Sequence, residues 1–190
     1  MVILDNALPE NIFKKVEDLI LNQIEWFYME GTAYAVKSED TSILDYSFYH
    51  LVWDEFKPKS EAANLLMPVI GKLFEAVNQK VKSIIRVRIG LIPNVGKSFI
   101  HGGHVDYKTQ HETALFYVND SDGDTLFYNQ KYKSGDGEPL TAFKNNEIIK
   151  RISPKANRFV CFDGFQFHSS SSPVNNSRRV VFNINYHLSK

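Results

Sequence analysis

The sequence predicts a mostly β fold braced by helices, a barrel or two-sheet sandwich, and three observations carry that expectation. Helical spacing of apolar residues is confined to the first 83 positions, after which the period drops from about 3.6 to about 2. Aromatic residues make up 13% of the chain, and flat side chains suit a pleated, half-buried surface. The 190 residues are about one domain's worth of chain. Both patterns are therefore expected to share one core, with residues 1–83 as helical support and 84–190 as the β core.

Each element has its own local reason. Residues 2–4 form a short apolar start. Pro9 suits a helix's first turn, where a missing N–H is tolerated, and Ile12, Val16, Leu19, Ile20 and Ile24 then recur at helical spacing, so the first helix is expected over residues 9–26. Leu65, Leu66, Val69, Ile70, Leu73, Phe74 and Val77 repeat the pattern over residues 61–78, where Pro68 would kink the helix or mark a late start. Between the helices, residues 32–36 and 47–53 read as one or two strands around a polar loop. From residue 84, Ile85, Val87, Ile89 and Leu91 alternate with Arg86, Arg88 and Gly90. Residues 112–119, 125–128, 158–162 and 179–186 are further strand-like runs, separated by Gly, Asn, Asp, Ser and Pro clusters. Residues 130–149, with Gly135, Asp136, Gly137, Pro139, Asn145 and Asn146, interrupt that pattern and are expected to form a loop beside the open end of the β core.

Composition excludes several classes. Lys plus Arg number 22 and Asp plus Glu 22, so a formal charge of zero gives no general pull toward nucleic acid or anionic membranes. No apolar run approaches the ~18–20 residues of a membrane span. Cys161 is the single cysteine, so no internal disulfide is possible. The opening residues lack the basic and long apolar stretches of a signal peptide, and a reducing, cytoplasmic home is the expectation.

Of six histidines, His104 and His168 stand out. In Gly102-Gly103-His104-Val105-Asp106 an imidazole and a carboxylate lie two residues apart, which in extended chain puts both on one face, about 6.6 Å apart at the Cα atoms. His168, sixty-two residues after Asp106, closes another strand-rich stretch that a rolled sheet could bring to the same point. Two imidazoles and one carboxylate on one face of an ion leave three coordination positions open, the donor set of non-heme Fe(II) oxygenases. The terminal strand adds a second feature. Alternation puts Val180, Phe182 and Ile184 on one face and Arg179, Val181, Asn183 and Asn185 on the other, and two asparagines on a face need water or a polar cavity. On such a face the planar fork of Arg179 suits a carboxylate such as the distal one of 2-oxoglutarate, with the Tyr117 phenol as a second donor or, equally, as a core aromatic.

Taken together, His104-Val105-Asp106, residues 113–119 with Asp122-Gly123-Asp124-Thr125, the run Asn157-Arg158-Phe159-Val160-Cys161-Phe162-Asp163 leading to His168, and the Arg179 strand resemble the Fe(II)- and 2-oxoglutarate-dependent dioxygenases of the prolyl 4-hydroxylase-like type. The similarity covers roughly residues 84–187, and residues 2–26 also resemble the way such enzymes begin. It resembles in particular the small stand-alone members found in bacteria and viruses. The resemblance implies a double-stranded β-helix (jelly roll), with His104, Asp106 and His168 as iron ligands, Arg179 as carboxylate anchor and Tyr117 as its helper. It implies Fe(II), 2-oxoglutarate and O₂ as cofactor and cosubstrates, succinate and CO₂ as products, and hydroxylation of a protein or peptide residue, proline among them, or of a small amino-acid-like molecule. The family's basic residue often stands nine or ten positions after the distal histidine, which favours Arg178, whereas the strand face favours Arg179. Leu91-Ile92-Pro93 stands where many relatives carry a tyrosine.

Two rival readings remain at this level: a Zn site of His101, His104 and His168 with Asp106 or Glu112 as base, and a non-catalytic jelly-roll binding module. His101 otherwise reads as a group touching a ligand rather than the ion. His50, His111 and His187 receive no role. Arg86 and Arg88 read as a polar strand face, Cys161 as a small core residue, and Trp26 and Trp53 as packing.

Overall fold

Central strands with apolar residues on both faces must be covered twice, and that requirement organises the chain. The structure is a computed structural model that describes residues 1–32, 44–134 and 147–189. In chain order it contains β1 (Val2–Leu4), α1 (Glu10–Asp18), a π-helical turn (Leu19–Gln23), β2 (Phe27–Glu30), β3 (Tyr46–Asp54), β4 (Lys57–Pro58) and α2 (Ala63–Ala76). Strands follow: β5 (Val81–Pro93), β6 (Glu112–Tyr117), β7 (Thr125–Lys131), β8 (Ile148–Ile152), β9 (Arg158–Asp163), β10 (Gln166–Ser170) and β11 (Arg178–Leu188).

Among the described residues these strands make two antiparallel sheets, a large one in the order β1-β9-β6-β11-β5-β3-β2, with β4 on β3, and a small one in the order β10-β7-β8. The segment before His104 pairs along the open edge of β10: His101 N–H donates to Ser170 at 2.8 Å, and His104 and His168 exchange both backbone bonds at 3.0 and 3.1 Å. Residues 1–83 thus contribute strands to the large sheet as well as helices. The two sheets form the mostly β jelly roll that the sequence predicts.

Alternation sorts the side chains as required. Phe116, Val180, Phe182, Ile184 and Tyr186 turn one face of the large sheet toward Phe13, Val16 and Ile20 and toward Leu66, Ile70, Leu73 and Phe74 of α2. Leu115, Tyr117, Val160, Phe162 and Val181 turn the opposite face toward Phe127 of β7 and Ile152 of β8. Cys161 lies in the helix-side core, and burial pushes its thiol up to about 11, which leaves it inert at neutral pH.

Several boundaries differ from expectation. The first helix stops at Asp18, opens into the π turn closed by Ile24 N–H to Leu19 C=O at 3.2 Å, and ends because Ile24 is extended, with φ −82° and ψ 153°. Ile24 and Trp26 keep contact with the core from extended chain, which is why their spacing mimics a longer helix. The second helix runs through Pro68 and ends at Ala76; just beyond it Asn78, with a φ of 53°, permits the paired closing bonds Asn78 N–H to Glu75 C=O and Gln79 N–H to Phe74 C=O, both 3.0 Å. Most of the strand expected at 32–36, and the Gly135, Asp136, Gly137, Pro139, Asn145 and Asn146 loop, lie outside the described residues. β8 was not expected, because its alternation is masked by three exposed residues in a row.

Candidate metal and carboxylate site

The backbone pairing of His104 with His168 brings two imidazoles together at the end of the small sheet, their ring centroids 4.8 Å apart. Asp106, two residues on, joins them: one ligand atom from each of His104, Asp106 and His168 lies within 4.8 Å of the other two. Among the described residues this is the one such group, so neither His101 nor Glu112 belongs to it. The Zn site built on His101 is not assembled.

Hydrogen bonding fixes which nitrogens face the centre. A carbonyl only accepts, so Nδ1–H of His104 donates to Gly102 C=O and Nδ1–H of His168 to Gln166 C=O, both at 3.0 Å. Nε2 of each ring is therefore the lone-pair nitrogen, the form a metal requires. Burial depresses the His168 pKa to about 4, repulsion from His104 adds to this, and Asp106 opposes it, so the ring is neutral at neutral pH.

Asp106 is buried and closely held. Asn185 Nδ2 donates to Oδ2 at 2.8 Å, Arg86 Nη2 to Oδ1 at 3.2 Å, and Asn183 Nδ2 reaches both oxygens at 3.4 Å. Burial alone would raise its pKa, but the charge of Arg86, the two imidazoles and the Asn185 bond override it, and the carboxyl is held well below the usual carboxylate range. The asparagine pair on the terminal strand thus has its polar partner. So does Arg86, which also stacks over the Tyr107 ring at 5.1 Å.

These donors fit a divalent cation: two imidazoles whose Nδ1 atoms are engaged by carbonyls, one ionised carboxylate, and a buried position where, among the described residues, the Asp106 charge has the Arg86 guanidinium at 3.2 Å as its arginine partner.

Arg179 lies along the same cavity, 4% exposed. Nη2 donates to Thr125 Oγ1 at 2.8 Å, Thr125 Oγ1 bonds the Tyr117 hydroxyl at 2.7 Å, and Nε is buried without a hydrogen-bond partner. Burial disfavours the guanidinium charge and lowers its pKa, a cost that an incoming carboxylate would offset. Thr125 lines the cavity whereas Tyr117 is fully buried behind it, so Tyr117 orients Thr125 and Arg179 from behind. Thr125 has no signal in the sequence beyond its place at the start of a strand. The cavity, about 620 Å³ with its open mouth included, is lined also by Ile92, Leu115, Val181, Asn183, Arg88 and Ser47.

Gly123 backs Arg179. A Cβ at that position would sit 2.6 Å from Ser171 O, 3.1 Å from Pro173 N and 3.2 Å from Arg179 Cδ. Since the first two are backbone atoms, Gly123→Ala must shift the backbone around Ser171 and Pro173 and also crowds Arg179. Weaker carboxylate binding, by about tenfold, is expected in a calorimetric titration with 2-oxoglutarate and Mn(II).

His101 is buried beside this site, not in it. Its Nδ1 faces Ser170 at 2.9 Å, and its Nε2 lies 3.9 Å from Asp45 Oδ1. Each hydroxyl of the serine run is engaged: Ser169 with Tyr128, Ser170 with His101, Ser171 with Asp124 N–H and Ser172 with Phe99 N–H. His50 bonds Glu25 C=O and Ser60, and His187 bonds Ser83, away from the triad.

No family model matches the chain, and no curated protein matches it. Solved structures do. A 2OG-Fe(II) oxygenase family oxidoreductase from Burkholderia pseudomallei superposes with a TM-score of 0.66 at 10% identity, covering 99% of this chain and 86% of that one. A prolyl hydroxylase from Trichoplax adhaerens, in complex with a hypoxia inducible factor oxygen degradation domain peptide fragment, gives 0.58 at 14% identity over 97% and 82%. HygX from Streptomyces hygroscopicus, with nickel, 2-oxoglutarate and hygromycin B bound, gives 0.60 at 9% identity over 97% and 81%. The fold of this chain is that of the prolyl hydroxylase-like 2OG-Fe(II) oxygenases. Among the described residues no helix is long and apolar enough to cross a membrane.

Proposed function

We propose that the chain is an Fe(II)- and 2-oxoglutarate-dependent dioxygenase that hydroxylates a peptide residue or an amino-acid-sized molecule. The observation that carries this reading is one cavity lined by His104 and His168, which meet Asp106 in a single ligand group, and by the buried guanidinium of Arg179, which has no carboxylate in ion-pair contact among the described residues. The chemistry supplied by bound Fe(II), 2-oxoglutarate and O₂ is oxidative decarboxylation to succinate and CO₂ coupled to hydroxylation of a C–H bond. His104, Asp106 and His168 would hold the ion from one side. Arg86, Asn183 and Asn185 fix the Asp106 carboxylate, and the carbonyls of Gly102 and Gln166 fix the two rings. Arg179, set by Thr125 and Tyr117, would take the distal carboxylate, while Leu115, Ile92 and Val181 keep water from that end. Support for a peptide or a small-molecule substrate comes from the similar structures, one in complex with a peptide fragment and one with hygromycin B bound.

The test is anaerobic reconstitution with Fe(II), followed by aerobic succinate release from 2-oxoglutarate against proline peptides, free amino acids and short oligonucleotides. Fe(II)-dependent succinate release is expected, stimulated by a peptide or an amino acid. Stable Zn(II) binding with no succinate under any condition would favour the hydrolase or binding-module readings, and stimulation by oligonucleotides alone would overturn the substrate assignment drawn from the zero net charge.

A further inference from the structure

One position on the cavity wall has no structural reason to be glycine. Gly90 stands inside β5, paired with Val181 of β11 on one side and with Tyr49 of β3 on the other, and the register is unbroken at both pairs. Its φ lies outside the left-handed region, so its backbone is one that any residue adopts. A Cβ added there would meet nothing within 4 Å, so no described neighbour requires the space. Glycine inside a strand costs conformational entropy, and where no bulge or bend calls for it, its remaining use is the close approach of a ligand.

The pairing gives the direction. Directly opposed residues share a face, and Val181, Gly90 and Tyr49 all line the cavity, so a side chain at Gly90 would project into it. A ring opposite a strand glycine can fold over it and cover it. Tyr49 does not: its ring packs on Phe27, with centroids 5.9 Å apart and 39° between the planes. A hollow one side chain wide is left over Gly90, between flanking strands ~9.6 Å apart, which is two inter-strand spacings. Its floor is a bare peptide plane. The cosubstrate takes a different line, because Arg179 and Asn183, whose amide bonds Asp106, both belong to β11, one strand away. The hollow also lies beyond the cover of the small sheet: Phe127 and Ile152 pack on residues of β6, β9 and β11, and that cluster includes no residue of β3 or β5. A second observation points to a ligand at the same place. Ser47, two residues before Tyr49 on the same face of β3, lines the cavity, is 2% exposed, and its Oγ has no hydrogen-bond partner among the described residues. Such a hydroxyl has lost water and gained nothing in return.

We propose that the hollow over Gly90 is the substrate's pocket, that the missing side chain sets its size, and that the substrate fills it with a flat apolar ring. This rests on the oxygenase reading and deepens it. The face of a ring lies against a peptide plane where a flexible chain touches it only along an edge, and Tyr49 supplies a π surface beside it. An aromatic ring and a pyrrolidine ring share that shape. The Ser47 hydroxyl is then available to a polar group attached to the ring.

The experiment uses the full chain reconstituted with Fe(II) and measures succinate formation with end-capped pentapeptides carrying Phe, Tyr, Pro, Leu or Met at the centre, and with the same free amino acids. Ring-bearing compounds are expected to stimulate turnover, and those of Leu and Met to fail. Gly90→Ala is expected to raise the KM for the stimulating compound by about threefold and Gly90→Val by about tenfold or more, with kcat falling less. Ser47→Ala should raise KM by a smaller factor. Two further readouts do not depend on turnover. Calorimetry with Mn(II) should give both Gly90 variants a 2-oxoglutarate Kd within about twofold of the parent, and the Tm of Gly90→Ala should equal or exceed that of the parent, because alanine in unstrained extended backbone restricts the unfolded chain. Weaker substrate binding in a variant that is no less stable marks a glycine that faces a ligand rather than one the fold requires. Leu or Met compounds as effective as the ring-bearing ones, an unchanged KM in Gly90→Val, a loss that falls on the 2-oxoglutarate Kd, a Tm of Gly90→Ala below the parent, or no stimulation by any ring-bearing compound while 2-oxoglutarate still binds would each overturn the ring pocket. If the parent chain fails to bind 2-oxoglutarate with Mn(II), the oxygenase reading itself falls.

Discussion

Replacing His104, Asp106 or His168 by alanine is expected to reduce Fe(II)-dependent succinate formation to background and to remove high-affinity Mn(II) binding. Each residue supplies one of three donors; with two the facial geometry is lost, and loss of Asp106 removes the one anionic donor as well. His104 and Asp106 stand apart from the apolar clusters that hold the sheets together, and His168 meets one of them only through its ring beside Phe162 and Phe127, so the far-ultraviolet circular dichroism should stay that of the parent. Asp106→Ala is the most demanding case, because it also removes the acceptor of Arg86 Nη2 and Asn183 Nδ2 and leaves Asn185 Nδ2 with Thr113 Oγ1 alone. Arg86 retains its stack on Tyr107, which limits that cost. Asp106→Glu should fail as well: the added methylene moves the carboxylate out of the cradle set by Asn185 at 2.8 Å and past the ligand position. A variant that keeps normal activity would remove its residue from the ligand set.

Alternation was the most readable part of the sequence, because strand parity is fixed by covalent geometry. The separation of Val180, Phe182 and Ile184 from Arg179, Val181 and Asn183 appears in the structure as two opposite faces, one against the helices and one on the cavity. The same parity puts Thr113, Leu115 and Tyr117 of β6 on one face, and Thr113 Oγ1 approaches Asp106 Oδ2 at 3.5 Å. What parity does not encode is distance across the fold. The Arg86 contact with Asp106 depends on how the chain between β5 and β6 turns back over the large sheet, and no local pattern reports it. The direction of the Tyr117 hydroxyl was equally hidden, since a buried phenol facing Thr125 and one facing a ligand have the same sequence. Helix ends failed for a different reason: Ile24 and Trp26 satisfy a helical period while touching the core from extended chain.

Arg179→Ala is expected to weaken 2-oxoglutarate binding by about 2–5 kcal/mol, the cost of losing a buried charged partner, whereas Arg178→Ala should change it little. The two residues are neighbours, so position along the strand cannot separate them and only side-chain direction does. Arg179 is buried, lines the cavity and is preset by Thr125, with its Nε lacking a partner. Arg178 pairs with Pro93 at the start of β11, is half-buried, and its carbonyl accepts from Asn119 Nδ2 at 2.9 Å, a bond that survives truncation of the side chain. Calorimetric titration of 2-oxoglutarate with Mn(II) present measures both, and Tyr117→Phe provides a control. That change removes a hydroxyl bonded to Thr125 rather than facing the cavity, so its loss should be well below that of Arg179→Ala. A larger loss at Arg178 than at Arg179 would show that the carboxylate is taken on the opposite face of β11, and the cavity would then need a different occupant.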